Sequence, residues 1–194
     1  MDPSLTNWGF ASGEYSTNGG RPIIGTVGIF SPVASSSKQV RQNSKDLERA
    51  SELSTSVFKL VDEIRPHVIF VEVPVGSQSS RAMASYGICI GIIAALQATT
   101  SYSIFEVTPT EVKVAAVGKR TATKQRMIDW ATASYPTANW PMMTRGGITS
   151  IVAGKAEHMA DAVGAIHAGL YKSTEFSKYL QTIKLLTKES NHAS

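Results

Sequence analysis

The sequence predicts an α/β fold, and a short apolar strand between two helical segments is the main observation behind that prediction. In Val68–Glu72 four strand-favouring residues precede a carboxylate, which is typical of a strand covered on both faces. A helical pattern lies on each side of this strand. The length of 194 residues corresponds to a single domain with a real core.

Two strands are predicted near the start of the chain. They cover residues 8–11 and Ile23–Phe30, and the turn-rich residues 16–20 between them indicate a hairpin. Only Met1 precedes Asp2. A strand leading into Asp2 is therefore expected to be truncated, so that either the true start lies upstream or Asp2 sits on an unsupported end.

Two long helices surround the central strand. Apolar residues recur every three or four positions in residues 46–64, and Pro66 marks the end of this amphipathic helix. A second helix, from Ser79 to Ala98, is apolar nearly all round. Such a helix is either central to the core or meets another subunit.

The next segment contains a strand and two helices. The strand covers Ser103–Val107, and Thr108 with Glu111 forms a capping box at the start of a short helix that ends at Gly118. The second helix is predicted from Thr121 to Tyr135. Two helix N-termini beside several cations favour phosphate binding, with a solvated basic face as the alternative.

The final third is predicted to hold an irregular segment and two helices. Residues 136–154 show no period and are expected to be a long loop or flap, a kind of segment that is often functional. A core helix follows over residues 155–171. Residues 172–194 form a basic amphipathic extension, which we expect to pack on the domain formed by residues 1–171 or to lie along nucleic acid.

Composition restricts the classes of function. The net charge of +4 is a weak indication of a polyanionic partner. The single cysteine, Cys89, lies among isoleucines, so a buried thiol and a cytoplasmic setting are expected. No signal peptide is recognised, and no apolar run is judged long enough to span a bilayer.

Three carboxylates are the candidate chemical groups. Glu72 ends the central strand, Asp2 opens the chain and Asp161 lies on the last core helix. If the fold brings them together, they offer the all-oxygen set that hard cations such as Mg²⁺ prefer. A solvated glutamate at a strand end is the alternative for Glu72.

His158 lies one helical turn before Asp161, flanked by alanines that permit close packing. Together the two side chains could form a metal ligand pair or carry a proton, although a lone histidine is more often a surface residue. Glu157 is expected to be solvated. Basic residues concentrate between positions 113 and 126, namely Lys113, Lys119, Arg120, Lys124 and Arg126.

In this order the motifs resemble those of the RuvC family of Holliday-junction resolvases, in the ribonuclease H-like superfamily. The segment from Asp2 to Gly9 resembles the first-strand motif, and Val71-Glu72 resembles the second catalytic strand end. The lysines Lys113 and Lys124 match the phosphate-contacting segment, and the residues from His158 to Asp161 match the final acidic helix. The similarity spans nearly the whole chain.

The resemblance implies a mixed sheet flanked by helices and a catalytic, metal-binding set of Asp2, Glu72, His158 and Asp161. It implies two Mg²⁺ ions, for which Mn²⁺ is expected to substitute, and cleavage of four-way DNA junctions by paired hydrolysis in recombination and repair. Lys113, Lys119, Arg120 and Lys124 would bind the DNA backbone.

The resemblance further implies a homodimer formed through the helix from Ser79 to Ala98, with no membrane partner. Residues 136–154 exceed the compact family form, and compact divergent members are common in bacteriophages, which makes a viral origin an expectation. Two alternatives remain open: a less selective metal-dependent nuclease on branched DNA or RNA, and a junction-binding module without catalysis.

Overall fold

A computed structural model describes the backbone of residues 1–192 and the side chains of residues 1–186. Residues 193–194 of the predicted extension and the side chain of Lys188 lie outside this described part. The elements in chain order are β1 (Trp8–Glu14), β2 (Ile23–Phe30), α1 (Gln42–Ile64), β3 (Val68–Glu72), α2 (Ser80–Thr99), β4 (Ser103–Val107), α3 (Pro109–Val117), α4 (Lys124–Ser134), β5 (Met142–Arg145), β6 (Ile148–Ile151), α5 (Ala153–Lys172) and α6 (Thr174–His192).

A mixed sheet runs through the centre of the fold. Strands β1 and β2 pair antiparallel, and β3 and β4 pair parallel. The backbone of the first two residues joins the pairs, because Asp2 exchanges hydrogen bonds of 2.9 and 3.0 Å with Gly9. On the other side Met1 donates its ammonium to the Phe70 carbonyl at 2.7 Å and accepts from the Glu72 amide at 2.9 Å.

Asp2 therefore does not sit on an unsupported end, which was the second of the two alternatives for the start of the chain. Backbone hydrogen bonds hold Met1 and Asp2 between β1 and β3, where a central strand would lie. The pairing of Asp2 with Gly9 is an isolated bridge and does not extend into a longer strand. Two residues are sufficient to fix the position of the Asp2 carboxylate.

Helices cover both faces of the sheet. The alternation of side chains along β3 sends Ile69 and Val71 into a core shared with α1 and α2. Phe70 points to the opposite face, where its ring lies against Gly169 of α5. A second core lies between β2, α3, α4 and α5. The predicted α/β architecture, a mixed sheet flanked by helices, is confirmed.

The predicted starts of two helices are corrected by the structure. Helix α1 begins at Gln42, one turn earlier than the periodic apolar residues indicated. Helix α4 begins at Lys124 and not near Thr121, because the side chain of Thr123 accepts a hydrogen bond from the Arg126 amide and caps the helix there.

The prediction that residues 136–154 lack regular structure is wrong. Strands β5 and β6 form an antiparallel hairpin in this segment. Gly146 and Gly147 both adopt positive φ, at 58° and 79°, as a two-residue hairpin turn requires. The glycines carried this signal, but the flanking strands lack the alternation that would have revealed them.

Helix α2 is only partly covered. It buries Cys89, Ile92, Ile93 and Leu96, which confirms the predicted buried thiol. Two other apolar residues, Met83 and Ile90, are nearly half exposed. By length and composition alone α2 could also cross a bilayer, contrary to the expectation from the sequence, although a core helix of a soluble protein meets the same test.

The C-terminal helix packs against the sheet. Phe176 of α6 is buried, and its ring makes edge contacts with Phe70 and Phe105. Tyr179 adds a further edge contact with Phe105. Packing on the domain, the first of the two expectations for the extension, is therefore what the structure shows for the start of α6.

Candidate active site

The site is built around a contact between the first residues and the last core helix. Asp2 lies between β1 and β3, and its carboxylate faces α5. Nδ1 of His158 lies 2.6 Å from Oδ2 of Asp2, with both side chains largely removed from solvent. These residues are separated by more than 150 positions in the chain, so only the tertiary fold brings them together.

Close packing of α5 on β1 makes this contact possible. A Cβ atom on Gly9 would overlap the carbonyl oxygen of His158, so the strand and helix backbones meet without a side chain between them. Helix α5 buries Ala156, Ala160 and Ala162 nearby. The small residues that flank His158 in the sequence therefore bring the helix close to the sheet, as predicted.

Glu72 and Asp161 complete a group of three carboxylates with Asp2. Burial raises the pKa of Glu72 to about 8, with the charges of Asp2 and Asp161 as further causes. Burial likewise raises the pKa of Asp161 to about 7, with Asp2 and Glu157 adding to the effect. The charge of Asp2 acts on both pKa values, which places Glu72 and Asp161 near the Asp2 carboxylate.

Burial acts on the pKa of the His158 imidazole in the opposite direction to its effect on the carboxyls. Burial lowers its pKa, but the hydrogen bond to Asp2 and the nearby carboxylates outweigh burial and raise the pKa above its ordinary value. The histidine is thus suited to hold a proton against Asp2. Its loss of that proton would free both side chains to bind a cation.

The four predicted basic residues lie in different environments, and Lys113 differs from Lys119 and Arg120. Lys113 on α3 is half-buried, and its positive charge acts on both Glu72 and Asp161, lowering their pKa values against the larger effect of burial. Lys119 and Arg120 lie exposed in the turn between α3 and α4. Lys113 therefore lies beside the carboxylates, whereas Lys119 and Arg120 lie on the open surface.

Lys124 has a partner that the sequence did not indicate. Its ammonium lies 2.5 Å from Oε1 of Glu157, and this ion pair raises the pKa of Lys124. The side chain of Glu157 is only 18% exposed, so the expectation of a solvated glutamate is wrong. Glu157 and Asp161 are four residues apart on one helix, a spacing that could have identified the fourth carboxylate.

The chemistry of the donor set fits a hard divalent cation. Asp2, Glu72 and Asp161 supply oxygen donors, and the raised pKa values of Glu72 and Asp161 reflect, besides burial, a repulsion from neighbouring carboxylates that a cation would relieve. Through residue 186, however, no three acidic, histidine or cysteine side chains stand ready around one ion. The Asp2–His158 hydrogen bond occupies one of the donors, so metal binding requires a local rearrangement there.

A small cavity adjoins the site on the α2 side. It measures about 90 Å³ and is lined mainly by apolar atoms, with Glu72 and Glu106 among its walls. The cavity places one side of the Glu72 carboxylate next to α2. The cavity is too small to hold a nucleotide.

Comparison with solved structures identifies the fold. Thermus thermophilus RuvC in complex with a Holliday junction substrate superposes with a TM-score of 0.56 at 15% identity, over 87% of this chain and 93% of that one. A second structure of Thermus thermophilus RuvC gives 0.54 at 17% identity over the same shares. No protein-family model matches the chain, and no curated protein matches it significantly. The chain therefore has a RuvC-like, ribonuclease H-like fold.

Proposed function

We propose that this protein is a Mg²⁺-dependent endonuclease that resolves four-way DNA junctions by paired phosphodiester hydrolysis during recombination and repair. One observation carries the proposal: three carboxylates from separate segments, Asp2, Glu72 and Asp161, lie near one another on a ribonuclease H-like fold, and the charge of Asp2 adds to the burial that raises the pKa of Glu72 and of Asp161. A fold of this kind serves many functions, so the site has to carry the assignment.

The chain's own residues would divide the chemical work. Asp2, Glu72 and Asp161 would bind two divalent ions, Mg²⁺ or Mn²⁺, which when bound supply activation of a water and charge stabilisation at the leaving oxygen. Nδ1 of His158 lies 2.6 Å from Asp2, and His158 would accept or release a proton there as the carboxylate changes partner. Lys113 offsets part of the negative charge.

The basic side chains would hold DNA. Lys119 and Arg120 are exposed beside the N-terminus of α4, where phosphate oxygens are favoured by both charge and free amides. Lys124 would exchange Glu157 for a phosphate. These contacts position a backbone without reading its sequence.

A homodimer through α2 would give the protein two sites. The half-exposed side chains of Met83 and Ile90 support this part of the proposal. Two-fold symmetry would match that of a four-way junction and permit paired cuts. The cytoplasmic setting and the phage origin remain predictions, as does the absence of a membrane partner.

Cleavage of a synthetic four-way junction beside a linear duplex of the same sequence tests the proposal. With Mg²⁺ we expect paired nicks in the junction alone, and none with EDTA. Equal cutting of both substrates would favour the less selective nuclease. Binding without cutting in Mg²⁺ and in Mn²⁺ would favour the module without catalysis.

The variant Asp161→Asn separates catalysis from binding. The change removes one charged metal ligand but leaves the basic residues in place, so we expect loss of cleavage with junction affinity within about twofold of the wild type. Asp129→Asn on the outer side of α4 is a matched control, because Asp129 is exposed and bonded to Gln125. If Asp161→Asn cut the junction like the control, the carboxylate site would be wrong.

A further inference from the structure

The β5–β6 hairpin, residues 142–151, is a two-stranded ribbon whose strands are almost entirely exposed. Every strand residue in it except Ile151 is exposed. The glycine turn and a 2.9 Å contact between the hydroxyls of Thr144 and Thr149 hold it in one conformation. A preformed ribbon loses little conformational entropy when it binds a partner.

One face of this hairpin combines apolar and cationic side chains. The strand register pairs Arg145 with Ile148 and Met143 with Ser150, and residues paired in this way point to the same face. Ile148 is 73% exposed and Met143 is 47% exposed. The other face carries the Thr144–Thr149 contact and Ile151, which packs against the core beside α5. Met142 on that other face is 54% exposed, so only Ile151 turns inward, whereas the face with Arg145 is exposed throughout.

The base of the hairpin joins the helix that carries part of the candidate active site. The Val152 amide donates to the Pro141 carbonyl at 2.8 Å, which closes the base of the hairpin. Helix α5 begins at the next residue, and Glu157 and His158 follow within its first two turns. The hairpin therefore leads directly into the helix that carries His158 and Asp161.

The charge of the hairpin and of the start of α5 indicates the class of partner. Residues 142–155 contain Arg145 and Lys155 and no carboxylate, and Lys124 lies beside the start of α5 through its pair with Glu157. Methionine and isoleucine side chains on a cationic ribbon fit DNA whose base stack is interrupted, because apolar side chains can enter between bases while an arginine binds the phosphate. A branch point offers such an interruption.

We propose that the β5–β6 hairpin engages the branch point of DNA, with Met143 and Ile148 against unstacked bases and Arg145 on an adjoining phosphate. The inference rests on the proposed function and adds the element that recognises the branch. Duplex arms would be held by the basic residues near α4, whereas the hairpin would act only where stacking is broken.

The test uses the full chain in the Asp161→Asn background, so that binding is measured without cutting. The double variant Met143→Ser with Ile148→Ser is compared with Ile23→Ser, whose side chain is 71% exposed on β2. The probes are a four-way junction and a linear duplex, each with 2-aminopurine at the position of the branch, in EDTA. Circular dichroism and thermal unfolding check the fold.

We expect the double variant to bind the junction about tenfold or more weakly and to lose the rise in 2-aminopurine fluorescence, because both apolar contacts with the unstacked bases are lost and burial of such side chains contributes on this scale. Duplex affinity and the Ile23→Ser control should remain at the parent value. Arg145→Gln should lower by about one the number of ions released on junction binding, as measured from the slope of affinity against salt concentration.

An unchanged fluorescence rise and unchanged junction affinity in the double variant would overturn the proposal. Loss of self-association in sedimentation with junction binding intact would also overturn it, and would assign the hairpin to a contact between copies. If the parent protein did not prefer the junction over the duplex, the proposed function itself would fail first. If the double variant unfolded, replacing residues 142–151 by two glycines between Pro141 and Val152 would decide by the same readouts.

Discussion

At the scale of single residues, protons and cations compete for the same carboxylates. Glu72 and Asp161 have pKa values of about 8 and 7, so at neutral pH the site retains protons that solvent-exposed carboxyls would have lost. Nδ1 of His158 lies within hydrogen-bonding distance of Asp2. The carboxyl protons have to leave before Glu72 and Asp161 can bind a metal as carboxylates.

Affinity for Mg²⁺ should therefore rise with pH. We expect the strongest increase as pH passes through about 7 to 8, where Asp161 and Glu72 ionise. Titration calorimetry at several pH values in two buffers measures both the affinity and the protons released on binding. An affinity independent of pH across this window would contradict the assignment of these carboxylates to the metal.

The same pKa values set the sign of the effect on stability. Both carboxyls have folded pKa values above their ordinary values of 4.5 and 3.8, so between these limits the folded state binds more protons than the unfolded state. The contribution of these two groups therefore favours folding at low pH and weakens as pH rises toward 8. Binding of Mg²⁺ should remove the repulsion between the carboxylates, so with Mg²⁺ present stability should rise with pH over this range.

Gly9 is a second residue on which the site depends. A side chain there would push against the carbonyl of His158 and move α5 away from β1. We expect Gly9→Ala to lower the free energy of unfolding by about 1–3 kcal/mol, as overpacking does, and to reduce cleavage more than binding. Gly25→Ala is the control, since a Cβ at Gly25 meets nothing within 4 Å. Urea denaturation of both variants measures the difference.

At the scale of the elements, a buried ion pair links α1 to α2. Asp46 on α1 is buried, and both its oxygens accept from the Arg81 guanidinium of α2. Gln42 donates to the same carboxylate at 3.0 Å. The hydrogen bonds from Arg81 are the main reason that the pKa of Asp46 is lowered. This pair fixes the start of α2 and the segment that follows Glu72.

Replacing Asp46 by Asn should cost about 1–3 kcal/mol of unfolding free energy, because the buried part of the interaction is left incompletely paired. Arg81 is half-exposed, which limits the loss through solvent screening. The depressed pKa means that the stabilisation is present at neutral pH and disappears as pH falls through the folded pKa of Asp46.

The exposed pair of Lys59 and Glu63 on α1 provides the control for Asp46. Glu63→Gln should change stability by a few tenths of a kcal/mol at most. Denaturant unfolding at neutral and at acidic pH distinguishes the two variants. Equal losses for Asp46→Asn and Glu63→Gln would mean that the α1–α2 pair contributes no more than a surface contact.

At the scale of the whole molecule, the exposed apolar side of α2 could join two copies of the chain and so bring two active sites together. Its exposed apolar side chains include Met83 and Ile90, at 46% and 47% exposure. A single chain would cut one strand at a time, whereas a symmetric pair could cut two. Paired cuts by the proposed enzyme therefore require association.

Ile90→Glu should convert a dimer to a monomer at micromolar concentration, because it places a charge in an apolar contact. Paired nicks should then become single nicks while the fold is retained. Val33→Glu is the control, as Val33 is 80% exposed away from α2. Sedimentation of the wild type as a monomer alone at that concentration would remove the symmetric mechanism.

The sequence by itself determined the parts of the protein that depend on neighbouring residues. Strand β3 followed from its apolar run, and the capping box of α3 followed from the spacing of Thr108 and Glu111, whose backbone and side-chain bonds are all present. The small residues around His158 correctly indicated a helix close to the sheet. These features follow from local periodicity and hydrogen bonding, which act over a few residues.

Only the tertiary structure decided how the distant parts meet. The support of Asp2 comes from hydrogen bonds to residues far along the chain, and the pairing of Lys124 with Glu157 depends on how α4 packs against α5. The raised pKa of Glu72 likewise depends on burial and on carboxylates from other segments. Burial and Coulomb interactions between remote residues leave no periodic signal in the chain, so the sequence nominated the acids and the fold set their chemistry.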